Sequence, residues 1–314
     1  MIINILLLIL GFFMLVKCAD AFVDSSSNLA RAFGIPSLII GLTIVAFGTS
    51  APEAAVSVIA SLKGDNGISL GNVVGSNTCN LLLVLGAAGF LGGLTTKKKV
   101  VHRDFVYSLL ACLVLFILSI DFLITGQTIG VLSRTNGMIL LCFLAIYLYA
   151  LLFDAKAASK EAEEKGKFRI RDIFFIILGI AGIVGGGELV VYAAKHIASG
   201  LGVSDEVIAL TVVAVGTSLP ELVTSVVAAR KGETDIAIGN VVGSNIFNIF
   251  FILGLAITIS PITFSTDAVV DIGIMFLAAI IVFFCLRKNY RIGKLNGMLL
   301  LLLYIAYTVF IIVR

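Results

Sequence analysis

Long apolar runs, each the length of a bilayer crossing, constrain this chain more than any other feature. A spanning helix needs about 20 apolar residues, and within hydrocarbon the backbone must satisfy its own N–H and C=O groups, so runs of this kind fold as helices. Ten segments qualify, at about 2–27, 36–62, 69–92, 104–123, 136–153, 171–197, 205–229, 236–259, 267–286 and 294–313. Between them only 13% of residues are charged, against about 25% in a soluble protein. A water-soluble domain is excluded, and the expected class is an all-α membrane protein with ten transmembrane helices. Met1–Val16 has no basic leader region and no small-residue cleavage site after it, so it reads as the start of a retained span. The longest connection, Asp154–Ile170, mixes lysines and glutamates and reads as a solvated linker.

Basic residues orient such a chain, because they accumulate in cytoplasmic loops. With the N-terminus outside, seventeen Lys and Arg fall on the inner side, Lys97–Lys99 and the group between Lys156 and Arg171 among them. The outer side keeps four: Lys63, Arg134, Lys195 and Arg314. Both termini are therefore expected to be extracellular, in a multi-pass protein of the plasma membrane. No basic block with interleaved aromatics is present, which argues against nucleic acid as a partner. Five cysteines are scattered through apolar stretches without a CxxC pair and read as small packing residues.

The chain is also a duplication. Gly41–Ser57 reads GLTIVAFGTSAPEAAVS and Ala209–Ser225 reads ALTVVAVGTSLPELVTS; Gly71–Asn80 reads GNVVGSNTCN and Gly239–Asn248 reads GNVVGSNIFN. One offset of 168 positions relates Glu53 to Glu221, Asn80 to Asn248 and, upstream, Asp20 to Glu188. Each half carries five spans. An odd number turns the second half upside down, the inverted repeat of secondary transporters with a substrate site near the midplane. The division expected is 1–153 for the first repeat, 154–170 for a cytoplasmic linker and 171–314 for the second.

Glu53 and Glu221 lie inside apolar spans, each in G-T-S-x-P-E, with no Lys or Arg in those segments to pair with them. A carboxylate in hydrocarbon is costly and persists where it faces a partner; the partner implied is a bound cation. Pro52 and Pro220 remove a helix donor, which is expected to free carbonyls near Thr49 and Thr217 and near Ala46 and Ala214. These carbonyls, the hydroxyls of Ser50 and Ser218 and the two carboxylates are all hard oxygen ligands. Ca²⁺ takes six to eight of them. Asn80 and Asn248 add amide oxygens, with Ser76 and Ser244 four residues earlier on the same helical face. Gly71, Gly75, Gly239 and Gly243 form small-residue faces for close helix approach, and Asn72, Asn240, Asn77 and Asn245 read as structural.

The paired G-T-S-x-P-E and G-N-V-x-G-S-N-x-x-N segments resemble the alpha repeats of the cation/calcium exchanger superfamily, in particular its compact archaeal and bacterial sodium/calcium exchangers. The resemblance covers all ten spans. It implies a central cluster of four cation sites bridged by Glu53 and Glu221, with the Thr49 and Thr217 carbonyls completing a Ca²⁺ site. Ser50 and Ser76 with the Ala46 carbonyl would form one flanking Na⁺ site, and Ser218 and Ser244 with the Ala214 carbonyl the other. Asn80 and Asn248 would line the middle position. Archaeal members can carry an acid where this chain has Asn248, which leaves open whether a proton or water takes that position. The family also implies that spans 1 and 6 slide past an eight-helix core.

The resulting reading is a secondary antiporter exchanging Ca²⁺ for Na⁺ by alternating access, with both ions as cargo, no cofactor and no need for an oligomer. Proton- or potassium-coupled exchange is the alternative. A channel would need a continuous pore and usually symmetric subunits. An enzyme is disfavoured because no HExxH, Ser–Lys or Ser–His set occurs, and the paired acids without a basic residue disfavour an organic anion.

Overall fold

The first helix, α1 (Ile2–Phe33), runs six residues beyond its expected end, with Ser25, Ser26 and Ser27 buried on its inner face. It stops at Gly34, whose φ of 65° suits a glycine cap, and Pro36 follows to forbid continuation. The computed structural model describes residues 2–64, 66–161, 166–201 and 214–314. The second expected span is two helices, α2 (Ser37–Thr49) and α3 (Ala51–Lys63), bent by 50° at Ser50. Then come α4 (Gly67–Leu91), α5 (Val100–Ile124), α6 (Arg134–Glu161) and α7 (Ile170–Gly200). The second half continues with α8 (Ala214–Thr217), α9 (Leu219–Arg230), α10 (Thr234–Ile259), α11 (Thr266–Asn289) and α12 (Lys294–Val313).

The chain is an all-helical membrane protein in its spanning part. Among the described residues eight helices are long and apolar enough to cross a bilayer, and the bent α2–α3 pair brings the number to nine. The remaining expected span, about 205–229, begins within residues 202–213, which lie outside the described residues. The linker expected from Asp154 is helical as far as Glu161, because A-K-A-A-S-K-E is composed largely of strong helix formers.

Four short strands depart from a purely helical reading: β1 (Leu94–Thr95), β2 (Gly130–Leu132), β3 (Ile262–Phe264) and β4 (Arg291–Ile292). β1 pairs antiparallel with β4, and β2 with β3. Each pair ties a loop of the first half to a loop of the second, satisfying backbone groups that would otherwise be unpaired at the ends of spans.

Close approach at glycine sets the helix packing. A Cβ at Gly11 would lie 3.0 Å from the Gly186 carbonyl, one at Gly182 would strike Cys18, and one at Gly179 would lie 2.8 Å from the Phe22 side chain. Numbers rise along α1 as they fall along α7, so these two helices run antiparallel. Gly243 sits where a Cβ would be 2.7 Å from both the Ala46 side chain and the Leu42 carbonyl, which brings α10 hard against α2. Gly71 and Gly75 show no such close approach among the described residues; the repeat mates of Leu38, Gly41 and Leu42 are positions 206, 209 and 210, outside them. A further echo joins the halves: N-G-M occurs at Asn136–Met138 and again at Asn296–Met298. Gly137 packs on the Gly254 backbone, and Gly297 packs on that of Gly86. α4 and α10 are the most enclosed helices, whereas α1 and α12 turn most of their apolar surface outward.

Candidate cation site

The site is built on the breaks in the two spans that carry G-T-S-x-P-E. Ser50 has φ −83° and ψ 9°, and Ser218 has φ −89° and ψ 5°, so the helix stops at each and restarts one residue later. Pro52 and Pro220 occupy the first turn of α3 and α9, where a missing N–H is tolerated. That turn also carries Glu53 and Glu221, at the positive end of the new helix dipole. Thr49 and Thr217 close the preceding helices, so their carbonyls stand at C-terminal helix ends.

Ala46 behaves differently from the sequence expectation. Its carbonyl is not freed by Pro52: it accepts the Ser50 N–H at 3.0 Å, the Thr49 hydroxyl at 3.3 Å and the Ser244 hydroxyl at 3.4 Å. The reason is register. The bond lost to a proline belongs to the residue four before it, which is Gly48. Ala214 opens α8.

Both glutamates are fully buried. Ser50 crosses from the first repeat to donate to Glu221 Oε1 at 2.9 Å, and Ser244 reaches the same oxygen at 3.5 Å. Ser76 donates to Glu53 Oε1 at 3.4 Å. The other oxygen of each carboxylate has no hydrogen-bond partner among the described residues; the same holds for Ser218 Oγ, both polar atoms of Asn80, and Asn248 Oδ1. Buried polar atoms are nearly always paired, so a set of orphaned oxygens on the two buried acids, on the Ser218 break and on the neighbouring helices α4 and α10 has the character of a ligand shell. No basic side chain pairs with either glutamate among the described residues.

Asn80 and Asn248 lie in π-helical turns, Asn80–Val84 and Phe247–Leu253, and a third such turn covers Gly41–Val45 in α2. Widened turns of this kind recur at functional sites because they re-aim side chains and loosen the carbonyl ladder. Nothing in the residue pattern announced them.

The remaining asparagines fasten the site. Asn72 Nδ2 donates to the Glu53 carbonyl at 3.2 Å and to Ser57 Oγ at 3.0 Å. Its counterpart Asn240 donates to the Glu221 carbonyl at 3.4 Å and Ser225 Oγ at 2.9 Å, and accepts from the Thr49 hydroxyl at 2.9 Å. Asn77 donates to the carbonyl of its own repeat mate, Asn245, at 3.2 Å, and accepts from Asn248 at 3.0 Å. Ser57 and Ser225 were not singled out from the sequence, although both close the duplicated segment. A cavity of about 320 Å³ opens beside the breaks, lined by Pro52, Gly187, Glu188, Tyr192, Thr217 and Pro220 among others.

Known proteins share this architecture. The family model described as sodium/calcium exchanger protein matches residues 3–153 and 172–313. The chain belongs to the sodium/calcium exchanger family. Sodium/calcium exchanger MaX1 of Methanosarcina acetivorans is 34% identical to this exchanger over 349 residues, covering 98% of each chain. Inner membrane protein YrbG of Escherichia coli strain K12 is 39% identical over 311 residues, covering 94% of this chain and 92% of its own. Among solved structures, the sodium-calcium exchanger NCX_Mj soaked with Na⁺ and Sr²⁺ superposes with a TM-score of 0.84 at 31% identity, covering 98% of each chain. Family and fold alike indicate a membrane transporter of cations.

Proposed function

We propose that this exchanger moves Ca²⁺ against Na⁺ by alternating access, binding both at the midplane between two inverted five-helix repeats. The observation that carries the reading is the pair Glu53 and Glu221: fully buried, one from each repeat, each with an oxygen that no described residue satisfies. Hard oxygen ligands with two formal negative charges suit one divalent cation. In this reading Glu53 and Glu221 bridge the sites and the Thr49 and Thr217 carbonyls complete the Ca²⁺ shell. Ser50, Ser76 and Ala46, with Ser218, Ser244 and Ala214, flank it for Na⁺, while Asn80 and Asn248 line the middle.

Three observations support ten spans in an inverted arrangement divided at 1–153, 154–170 and 171–314. The repeat-related helices α1 and α7 run antiparallel. Asn77 meets its own mate Asn245, as residues on a pseudo-two-fold axis do. The loop strands pair β1 with β4 and β2 with β3, which places the loops on common sides only if the second half is upside down. In this reading the protein lies in a plasma membrane, and the excess of basic residues on the β1–β4 side supports placing that side in the cytoplasm and both termini outside.

The test is uptake of radioactive Ca²⁺ into proteoliposomes preloaded with Na⁺, beside vesicles carrying only a pH gradient, with Glu53→Gln as control. Uptake driven by Na⁺ and abolished by the substitution is expected. Uptake driven by pH alone would make protons the counter-ion, the reading that an amide at Asn248 keeps in view, and uptake under neither gradient would mean another cargo.

A further inference from the structure

The two entrances to the site are not in the same condition. Beside Glu188 on α7 the cavity stands open against α3, and no ion pair involves Glu188 among the described residues. At the repeat-related place, α1 lies on α9 with Ala19, Phe22 and Val23 buried, and there Lys231 holds two acids of α1 at once. Its Nζ is 2.7 Å from Asp20 and 2.7 Å from Asp24, and it also donates to the Asp20 carbonyl at 3.0 Å. Two residues further on, Glu233 accepts the Ser27 hydroxyl of α1 at 2.7 Å. Burial opposes the charge on Lys231, yet the hydrogen bonds and charges of the two aspartates outweigh it and raise its pKa above the usual value.

The duplication gives these residues counterparts. The offset that joins Glu53 to Glu221 also joins Lys63 to Lys231 and Asp20 to Glu188. Lys63 ends α3, as Lys231 follows the end of α9, and it makes no ion pair among the described residues. We infer that Lys231 with Asp20 and Asp24 is a latch that holds the cytoplasmic entrance shut in this state, and that Lys63 with Glu188 is the matching latch of the opposite state. The inference rests on the alternating-access reading. One entrance can open only when its lysine releases the sliding helix, and the acid so freed then lines the open vestibule as an attractor for cations. Because the second latch carries one acid where the first carries two, the two states are held unequally, with the outward-open one favoured.

Site-directed labelling tests this in the full-length protein after its five native cysteines are replaced. A single Ala55→Cys reports the open entrance, and its repeat mate Val223→Cys reports the closed one, each probed with a membrane-impermeant maleimide from its own side of proteoliposomes. Lys231→Gln should raise labelling of the Val223→Cys reporter about three- to tenfold and lower that of Ala55→Cys, the range expected from a part-exposed cluster of three charges. Asp20→Asn with Asp24→Asn should do the same with Lys231 intact, which guards against one misfolded variant, and Lys231→Arg should label as wild type. Lys63→Gln should shift labelling the other way. Unchanged rates at both reporters in the Lys231 and the paired Asn variants would overturn the latch while wild-type Ca²⁺ exchange still stands. Failure of wild type to exchange Ca²⁺ strikes the transport reading instead, and the labelling ratio still decides the latch.

Discussion

Two serines in identical motifs should respond differently to the same substitution. Ser50 donates to Glu221 Oε1 at 2.9 Å, and Ser244 reaches that oxygen only at the outer limit of 3.5 Å. The Ser218 hydroxyl has no hydrogen-bond partner among the described residues. A hydrogen bond to a charged group contributes about 1.5–3 kcal/mol, so Ser50→Ala should destabilise the ion-free protein by about that amount. In a chain of this size that lowers the melting midpoint by several degrees, roughly 2–4 °C per kcal/mol. Ser218→Ala should leave the ion-free unfolding free energy within about 0.5 kcal/mol of wild type, since no well-formed side-chain hydrogen bond is lost. Ion binding should not make this distinction. If both hydroxyls are cation ligands, each alanine weakens the stabilisation that saturating Na⁺ provides, because a ligand stabilises in proportion to its affinity for the folded form. The assay is thermal unfolding of detergent-purified protein, with and without Na⁺ and Ca²⁺, for both variants. Equal loss of ion-free stability in the two would refute the argument from geometry, and undiminished Na⁺ stabilisation in Ser218→Ala would remove Ser218 from the shell.

Gly243→Ala should cost about 1–3 kcal/mol by overpacking, because its Cβ would meet the Leu42 backbone and Ala46 at 2.7 Å; thermal unfolding measures it. Gly273→Ala, where the nearest atom is Phe116 at 3.5 Å, should instead be neutral or stabilise by up to about 1 kcal/mol, as alanine does inside a helix. Tyr147→Phe should be neutral or stabilising, since the Tyr147 hydroxyl is buried without a partner among the described residues; a fall of about 2 kcal/mol in unfolding free energy would mean that it has one. Protons compete with cations for Glu53 and Glu221, so Na⁺-driven Ca²⁺ uptake should fall between about pH 8 and about pH 5, and a flat profile would argue against competition at these carboxylates.

Much of this was legible because hydropathy and duplication are one-dimensional signals. Apolar runs located the spans, and the repeated motif located Glu53 and Glu221. The sequence was less informative wherever the outcome depends on geometry between segments. Pro52 announced a break, but only the backbone shows that Ala46 keeps its amide partner and that the break falls at Ser50. The π-helical turns at Asn80 and Asn248 leave no residue signature. The helical end of α6 was hidden because lysines and glutamates suit a solvated loop and an exposed helix equally well. The N-G-M echo is offset by a different spacing from the main repeat, so its packing role at Gly137 and Gly297 emerges only from contact.

Two nearly identical motifs placed in unequal surroundings are what a two-state carrier requires. Glu221 is held across the repeat boundary by Ser50 at 2.9 Å, whereas the Ser218 hydroxyl and the second oxygen of Glu53 find no well-formed partner among the described residues; α1 is pinned at Lys231, yet α7 stands off from α3. None of these differences is dictated by the motif residues, which are the same on both sides. They belong to the conformation, so the conformation related by the repeat should carry them reversed, with Ser218 on Glu53 and Lys63 engaged. A carrier whose asymmetry were wholly fixed in its sequence would have one low-energy state and would bind without turning over; the extra acid Asp24, whose repeat mate is Tyr192, biases the two states without abolishing either. Here the imbalance rests on a few hydrogen bonds and part-exposed ion pairs, individually about 0.2–3 kcal/mol. Exchange of one bound cation for another is enough to tip differences of that size, whereas a buried core repacking would not be.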